Sequence, residues 1–418
     1  MRFIHAADIH LDSPLDGLNA RAAELGREVA AASRRAFARL IDLAIERQAA
    51  FMVIAGDVFD GTWRDLRTGL VFADAMARLE RESIVAVLLK GNHDADSRIG
   101  KALHFGNNVH LFDSRRAHTI RLESLRTALH GRSYAKAEET RNLAQDYPAA
   151  VPDWLNIGVL HTALAGAAGH APYAPCSLGD LLNRDYQYWA LGHVHAHAVL
   201  HADPPVIYSG NLQGRHVHES GPKGCVVVET EEARVTGWEF VALDTVRWAH
   251  VSADATGCGE LDQVLERVRD GLSHAAEGLD GRVLAVRLSI DGVSAAHGAL
   301  HGDRSRLEAE IQAAAFRAGS DILIERVAVR TRAPSAAVSG PDALGEIARA
   351  LDSWREDRDG LRGELAAIIH RLPDVAKEMI DWAGLDDAVL DAVLEHPQRN
   401  QQKLRQRDPA RSTLYELS

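Results

Sequence analysis

Residues 1–10, MRFIHAADIH, read as a short apolar run that stops in a polar cluster. The same design returns in FMVIAGDVFD at 51–60 and IVAVLLKGNHD at 84–94. Apolar runs of this length with polar punctuation are the pattern of strands buried on both faces. Between them, residues from about 19 to 48 set Phe37, Leu40, Ile41, Ala44 and Ile45 at helical spacing, and a second helix is predicted around 66–80. Strand, helix, strand, helix, strand is the signature of an α/β layer with helices packed on a sheet face. The polar clusters AADIH, GDVFD and GNHD then fall at the carboxyl ends of the strands, where open α/β sheets place their sites.

After residue 109 the predicted strands shorten and helices become sparse: 118–122, 127–132, 156–161, 187–191, 206–209 and 225–229. A second sheet stacked on the first is expected, with the loop 163–175, rich in Ala, Gly and Pro, near the motif edge. From residue 245 to 332 the pattern is again strand, helix, strand, helix, strand, without polar motifs. The stretch APSAAVSGP at 333–341 reads as a linker. Beyond it, Leu344, Ile347 and Leu351, then Leu361, Leu365, Ile368 and Leu372, form apolar helical stripes. The expectation is an α/β fold with three parts. A two-sheet sandwich flanked by helices occupies 1–244, a small α/β accessory domain 245–332, and a linker with a helical region 333–418.

The chain has 418 residues, long enough for two or three domains. It begins without a charged-then-apolar leader, and no run approaches the roughly eighteen apolar residues of a membrane span, so a cytoplasmic protein without membrane association is expected. Cys176, Cys225 and Cys258 show no CxxC spacing, which suits a reducing compartment and excludes a cysteine zinc site. A net charge of −12 argues against a protein that coats nucleic acid, but not against a nuclease, whose bound cations set the local field. The basic end from Arg399 reads as a solvated tail.

Seven side chains of metal-binding type stand at these strand ends in a fixed order: Asp8 and His10, Asp57, Asn92, His161, His193 and His195. Two dications about 3.5–4 Å apart can grip one phosphate and share a hydroxide, and they need a carboxylate able to bridge. Asp57, in a tight glycine turn, suits that role. Asp8 and His10, like His193 and His195, are two apart and project to one side of an extended chain. Each piece alone is weak, since a lone DxH is usually a turn and a lone strand-end histidine usually structural. In ordered combination they are not.

HAADIH, IAGDVFD, LKGNHD, VLH and LGHVH together resemble the calcineurin-like metallophosphoesterase superfamily, across residues 4–195. Within it, MRFIHAADIHLDSPLDGL, YWALGHVHAHAVL and IYSGNLQGRHVHESGPKGC are similar to the SbcD-type DNA repair exonucleases, especially their YhaO-like branch. The resemblance implies two divalent ions, most readily Mn²⁺, and hydrolysis of a DNA phosphodiester by a hydroxide bound to both. It implies Asp8, His10, Asp57 and His195 on one ion and Asp57, Asn92, His161 and His193 on the other. His93 would be the catalytic histidine, assisting the leaving oxygen.

Asp94 is a candidate to orient His93, His197 a candidate to continue the row of His193 and His195, and Arg215 and His216 candidates to touch the DNA backbone. His5 reads as a core residue. Asp60 stands where some relatives carry histidine, which leaves its function doubtful. The resemblance further implies that 245–332 is a capping, DNA-positioning domain and that the helices of 333–418 bind an SbcC-like coiled-coil ATPase partner, with a homodimer by analogy and 3′ to 5′ exonuclease action with endonuclease activity. Small-molecule phosphodiesterase or phosphatase activity, and a non-catalytic DNA-end-binding subunit, are the alternatives.

Overall fold

The computed structural model describes residues 1–13, 31–60, 66–95, 106–164, 173–319, 321–334 and 357. The first part of the expected 19–48 helix, most of the 163–175 loop and the helical tail lie outside these residues.

The first sheet contains β1 (Arg2–Ala6), β2 (Phe51–Ala55), β3 (Val85–Leu89) and β4 (Val109–Leu111), mutually parallel and side by side in that order, with two later strands beyond β1. The second contains β5 (His118–Leu122), β6 (Thr127–Gly131), β7 (Leu155–His161), β8 (Tyr188–Gly192), β9 (Ala198–Ala202) and β10 (Pro205–Tyr208), ordered β5-β6-β7-β8-β10-β9. The antiparallel β11 (Gly224–Glu231) and β12 (Arg234–Ala242) return the chain to the first sheet. Among the described residues this part also contains helices α1 (Ala32–Glu46), α2 (Leu66–Arg81), α3 (Asn92–Ala95) and α4 (Leu178–Leu182).

Alternate residues of the central strands serve two cores, as the period of two requires. Ile4, Met52, Ile54 and Leu88 pack with Phe37 and Leu40 of α1 and with Phe72, Met76 and Leu79 of α2. Their neighbours Phe3, Phe51, Val53 and Val87 face Leu129, Ile157, Val159, Tyr188 and Ile207 of the second sheet. Phe3 stacks on Phe51 at 4.8 Å and meets Tyr188 edge-on at 5.3 Å. Burying each such side chain stabilises the sandwich by on the order of 1.5–3 kcal/mol. His5 is in this core: its Nδ1 faces the Tyr188 hydroxyl at 2.9 Å and its Nε2 the Leu191 carbonyl at 3.2 Å. Burial pushes its pKa down to about 3, which keeps it neutral.

The sheet expected after residue 245 has three parallel strands, β13 (Val246–Asp254), β14 (Val283–Val293) and β15 (Ile322–Arg332). Helices α5 (Leu261–Ala275), α6 (His297–Gly302) and α7 (Arg304–Ala318) alternate with them. Val264, Val268 and Leu272 of α5 and Leu307 and Ile311 of α7 pack on Leu284, Leu288 and Ile290. A smaller cluster, Ala32, Val217, Val246, Trp248, Val283, Ala285 and Leu323, joins this sheet to α1 and the loop before β11. The buried carboxylate of Asp244 accepts from Arg247 at 2.9 and 3.0 Å, and Arg282 donates to the carbonyls of Asp244 and Ala242. All three sheets lie within one compact unit, Met1–Pro334.

Candidate metal centre

Parallel pairing of β1, β2 and β3, and of β7 with β8, brings five strand ends to one edge of the sandwich. Asp8 and His10 follow β1, Asp57 follows β2, Asn92 follows β3, His161 ends β7, and His193 and His195 follow β8. The loops are tied to one another by backbone: Asp8 N donates to Gly56 O at 2.9 Å, His10 N to Asp57 O at 3.0 Å. The His193 N–H donates to the Asp8 carboxylate at 2.9 Å. Asp8, His10, Asp57 and His193 all adopt left-handed backbone, with φ of 50°, 42°, 54° and 97°. Each such residue costs on the order of 1–3 kcal/mol, strain that the surrounding structure sustains and that concentrates at functional sites. Gly91 is required by close approach, since a Cβ there would lie 2.2 Å from Asp57 Oδ1.

The side chains form two adjoining groups. In the first, His10 Nε2 faces His195 Nε2 at 3.3 Å, with Asp8 Oδ1 3.8 Å from the latter and Asp57 Oδ2 4.0 Å from the former. In the second, His161 Nε2 lies 3.0 Å from Asn92 Oδ1 and 3.3 Å from Asp57 Oδ2, and the His193 ring is 5.2 Å from that of His161. Asp57 belongs to both. Asp8, His10 and His195, and again Asp8, Asp57 and His161, bring their ligand atoms within 4.8 Å of one another.

The tautomers decide what this arrangement accepts. The Ala55 carbonyl at 2.9 Å can only accept, so His161 Nδ1 carries a proton. Likewise His195 Nδ1, 2.7 Å from the Glu219 carboxylate, is a donor. His161 Nε2 then directs its lone pair at the Asp57 carboxylate, a geometry that needs a proton or a metal cation between them, and His195 Nε2 is left as an acceptor facing His10 Nε2. Without a metal a proton takes that place on His161. Burial opposes its charge, but Asp57 beside it lifts the pKa to about 9. Burial likewise opposes ionisation of Asp57, while His161 and then His10 and His93 hold its carboxyl well below the ordinary range. Mixed Asp, Asn and His donors suit divalent ions such as manganese, iron or zinc.

His93 lies at the rim and is 37% exposed; its backbone N–H donates to Asp57 Oδ1 at 2.9 Å. The side chain that orients it is Asp60, 2.7 Å from His93 Nδ1. That corrects the expectation for Asp94. Asp94 is buried and accepts instead from the backbone N–H groups of Val58, Phe59 and Gly91, fixing the turn that presents Asp57. Burial, with Asp57 nearby, pushes its carboxyl up to about 7. Asp60 also accepts from Ser13 Oγ at 2.8 Å. It raises the pKa of His93 against the effect of partial burial.

Arg215 stands between the two outer carboxylates, Nη1 3.7 Å from Asp60 and Nη2 3.6 Å from Glu219, with its Nε buried and without a hydrogen-bond partner among the described residues. His216 Nε2 is 3.5 Å from Glu219. His197 stacks on Phe240 at 4.5 Å and sets its Nδ1 against the Tyr208 carbonyl at 3.0 Å, which accounts for its ring face and that nitrogen. Glu219 and the buried Lys223, whose Nζ donates to His195 O at 2.7 Å, were not anticipated.

A family model described as calcineurin-like phosphoesterase matches residues 1–197, and one described as the middle domain of metallophosphoesterase YhaO matches residues 248–332. Metallophosphoesterase YhaO of Bacillus subtilis is 32% identical over 298 residues, which span 70% of this chain and 72% of that protein. The chain belongs to the calcineurin-like metallophosphoesterase family, YhaO type. Members bind divalent metals, and this metallophosphoesterase has three groups of candidate ligands among its described residues, Asp8, His10 and His195, then Asp8, Asp57 and His161, then His10, Asp60 and His93. The DNA double-strand break repair protein Mre11 of Methanopyrus kandleri is 23% identical over 303 residues, 65% of this chain and 63% of that protein. Mre11 of Archaeoglobus fulgidus is 30% identical over 113 residues, 27% of this chain and 24% of that protein. No helix among the described residues of the metallophosphoesterase is long and apolar enough to cross a membrane.

Proposed function

We propose that this metallophosphoesterase is a DNA exonuclease that cuts phosphodiesters at DNA ends. Asp8, His10, Asp57 and His195 would hold one divalent ion and Asp57, Asn92, His161 and His193 the other. When bound, such a pair supplies Lewis-acid charge neutralisation and an activated water. The observation that carries the reading is the His93–Asp60 pair at the rim of that donor set. With Nδ1 committed to Asp60, His93 keeps Nε2 for the substrate and can hold there the proton a leaving oxygen needs, while Asp60 balances the imidazolium. Phosphate chemistry needs that proton or its equivalent; a metal site of purely structural purpose does not.

DNA as the substrate is supported by the similarity to two proteins named for double-strand break repair, at 23% and 30% identity. It is also supported by a second α/β unit anchored to the loop that carries Arg215, His216 and Glu219. A small substrate has no need of that unit. Manganese as the metal, 3′ to 5′ polarity with endonuclease activity, a coiled-coil ATPase of the SbcC type as partner, a homodimer and a cytoplasmic location belong to the same proposal.

The test is incubation of the purified chain and Mn²⁺ with linear duplex DNA, a cyclic dinucleotide, or p-nitrophenyl phosphate esters. DNA degradation that disappears in His93→Ala is the expected result. Turnover of the small esters alone would refute the DNA reading and favour a small-molecule phosphodiesterase. Binding of DNA ends without any turnover would favour a non-catalytic subunit.

A further inference from the structure

Glu219 sits in the loop between β10 and β11 and is buried, although loops seldom bury a carboxylate. Each of its oxygens is committed. Oε1 accepts from His195 Nδ1 at 2.7 Å, and Oε2 accepts from the Arg215 N–H at 2.7 Å and from Asn211 Nδ2 at 2.9 Å. The loop is fixed in turn to β13: Gln213 exchanges hydrogen bonds with Thr245 and Val246, and Trp248 Nε1 donates to Gly214 O at 2.9 Å. The carboxylate therefore has a rigid mount. Its charge is faced by the Arg215 guanidinium, Nη2 at 3.6 Å, and by the His216 ring at 3.5 Å. Its shortest side-chain contact is the His195 imidazole. A carboxylate behind Nδ1 fixes the tautomer with Nε2 unprotonated, sets the ring plane and makes Nε2 a stronger donor to a metal. That Nε2 is the atom 3.3 Å from His10 Nε2 and 3.8 Å from Asp8 Oδ1.

We infer that Glu219 is a positioning residue for His195, tuning the affinity of the ion held by Asp8, His10, Asp57 and His195 and leaving the other ion unaffected. The inference rests on the proposed two-ion reading, and the two can fail separately. Metal-free full-length protein is titrated with Mn²⁺, and bound metal is counted by equilibrium dialysis with atomic absorption. Wild type is expected to take up two ions. Glu219→Gln, nearly isosteric, should weaken one of them about 10- to 100-fold and leave the other unchanged.

In a His195→Ala background the same substitution should have no further effect, because its route to the metal is gone. Glu219→Asp keeps the charge but withdraws it by one methylene, and should weaken the same ion. Unchanged affinities in Glu219→Gln would overturn the inference while leaving two-ion binding intact. An equal loss in the His195→Ala background would overturn it as well, since Glu219 would then act on the loop at large. Uptake of fewer than two ions by wild type would overturn both readings.

Discussion

Replacing Gly192 by alanine isolates the contact between the two sheets at the centre. A Cβ at this position would lie 2.0 Å from the Ala55 carbonyl oxygen and 2.9 Å from His161 Nδ1. Real Cβ atoms essentially never approach closer than 3.0 Å, so the ends of β2 and β8 must part by about 1 Å. Ala55 O is the atom that orients His161, so the displacement passes directly to that imidazole. Overpacking of this kind costs about 1–3 kcal/mol, or about 2–4 °C in Tm per kcal/mol for a unit of this size. Misplacing a reacting group by about 1 Å costs about 100-fold, close to 2.7 kcal/mol of barrier.

The assay is kcat/KM for a chromogenic phosphodiester with saturating Mn²⁺, alongside thermal melting of the same preparations. Gly237→Ala is the control, because a Cβ there meets nothing within 4 Å. Gly192→Ala is expected to lose about two orders of magnitude in kcat/KM for a few degrees of Tm, and the control neither. A Gly192→Ala protein within threefold of wild type would refute the argument that this contact sets His161.

Asp60→Asn should lower kcat about 10-fold or more with two ions still bound, because it removes the charge behind His93 while keeping an oxygen acceptor beside His93 and His10, 3.8 Å from the latter's Nδ1; loss of metal instead would place Asp60 in the ion site. Saturating Mn²⁺ should raise the melting temperature by neutralising Asp8 and Asp57 beside each other, worth about 2.7 kcal/mol at 100 times Kd, and chelation should reverse it. A melting curve indifferent to metal would count against the donor set.

His130 is buried, facing Thr119 Oγ1 at 2.9 Å and Asn156 Oδ1 at 3.0 Å, and burial pushes its pKa down to about 4. Its neutral form is the folded one, so the stability it contributes is complete above about pH 6.5 and is lost as pH falls toward 4, up to about 3 kcal/mol. His130→Gln should flatten that limb of a pH–Tm curve, and an unchanged slope would exclude His130 as its cause.

The parts legible in the sequence are those where local pattern and tertiary role coincide. Asp8, Asp57, Asn92 and His161 each follow an apolar run directly, so the run predicts the strand and the strand end predicts the edge. Strands 118–122 and 127–132 appear as β5 and β6 within a residue for the same reason. Short, half-exposed β4 and β9 offer no apolar run longer than three residues, and β12 has no fully buried position to mark it as a strand.

Asp60 and Glu219 were missed for another reason. Glu219 meets His195 across 24 residues, in a loop no periodicity describes, and its importance comes from burial, which sequence does not reveal. The Asp60 contact with His93 spans two strand ends. Nothing in the local sequence pattern gives Asp60 a partner, whereas its carboxylate faces an adjacent imidazole.

The centre spans the seam of the sandwich: the first sheet brings both carboxylates, the amide and one imidazole, and the second brings three imidazoles. Neither half holds enough donors for two ions, so a polypeptide split between residues 113 and 117 should bind metal firmly only when its fragments reassociate. Metal affinity in this protein thus measures how well two sheets are docked, and a loosened interface far from any ligand should first become visible as lost ions.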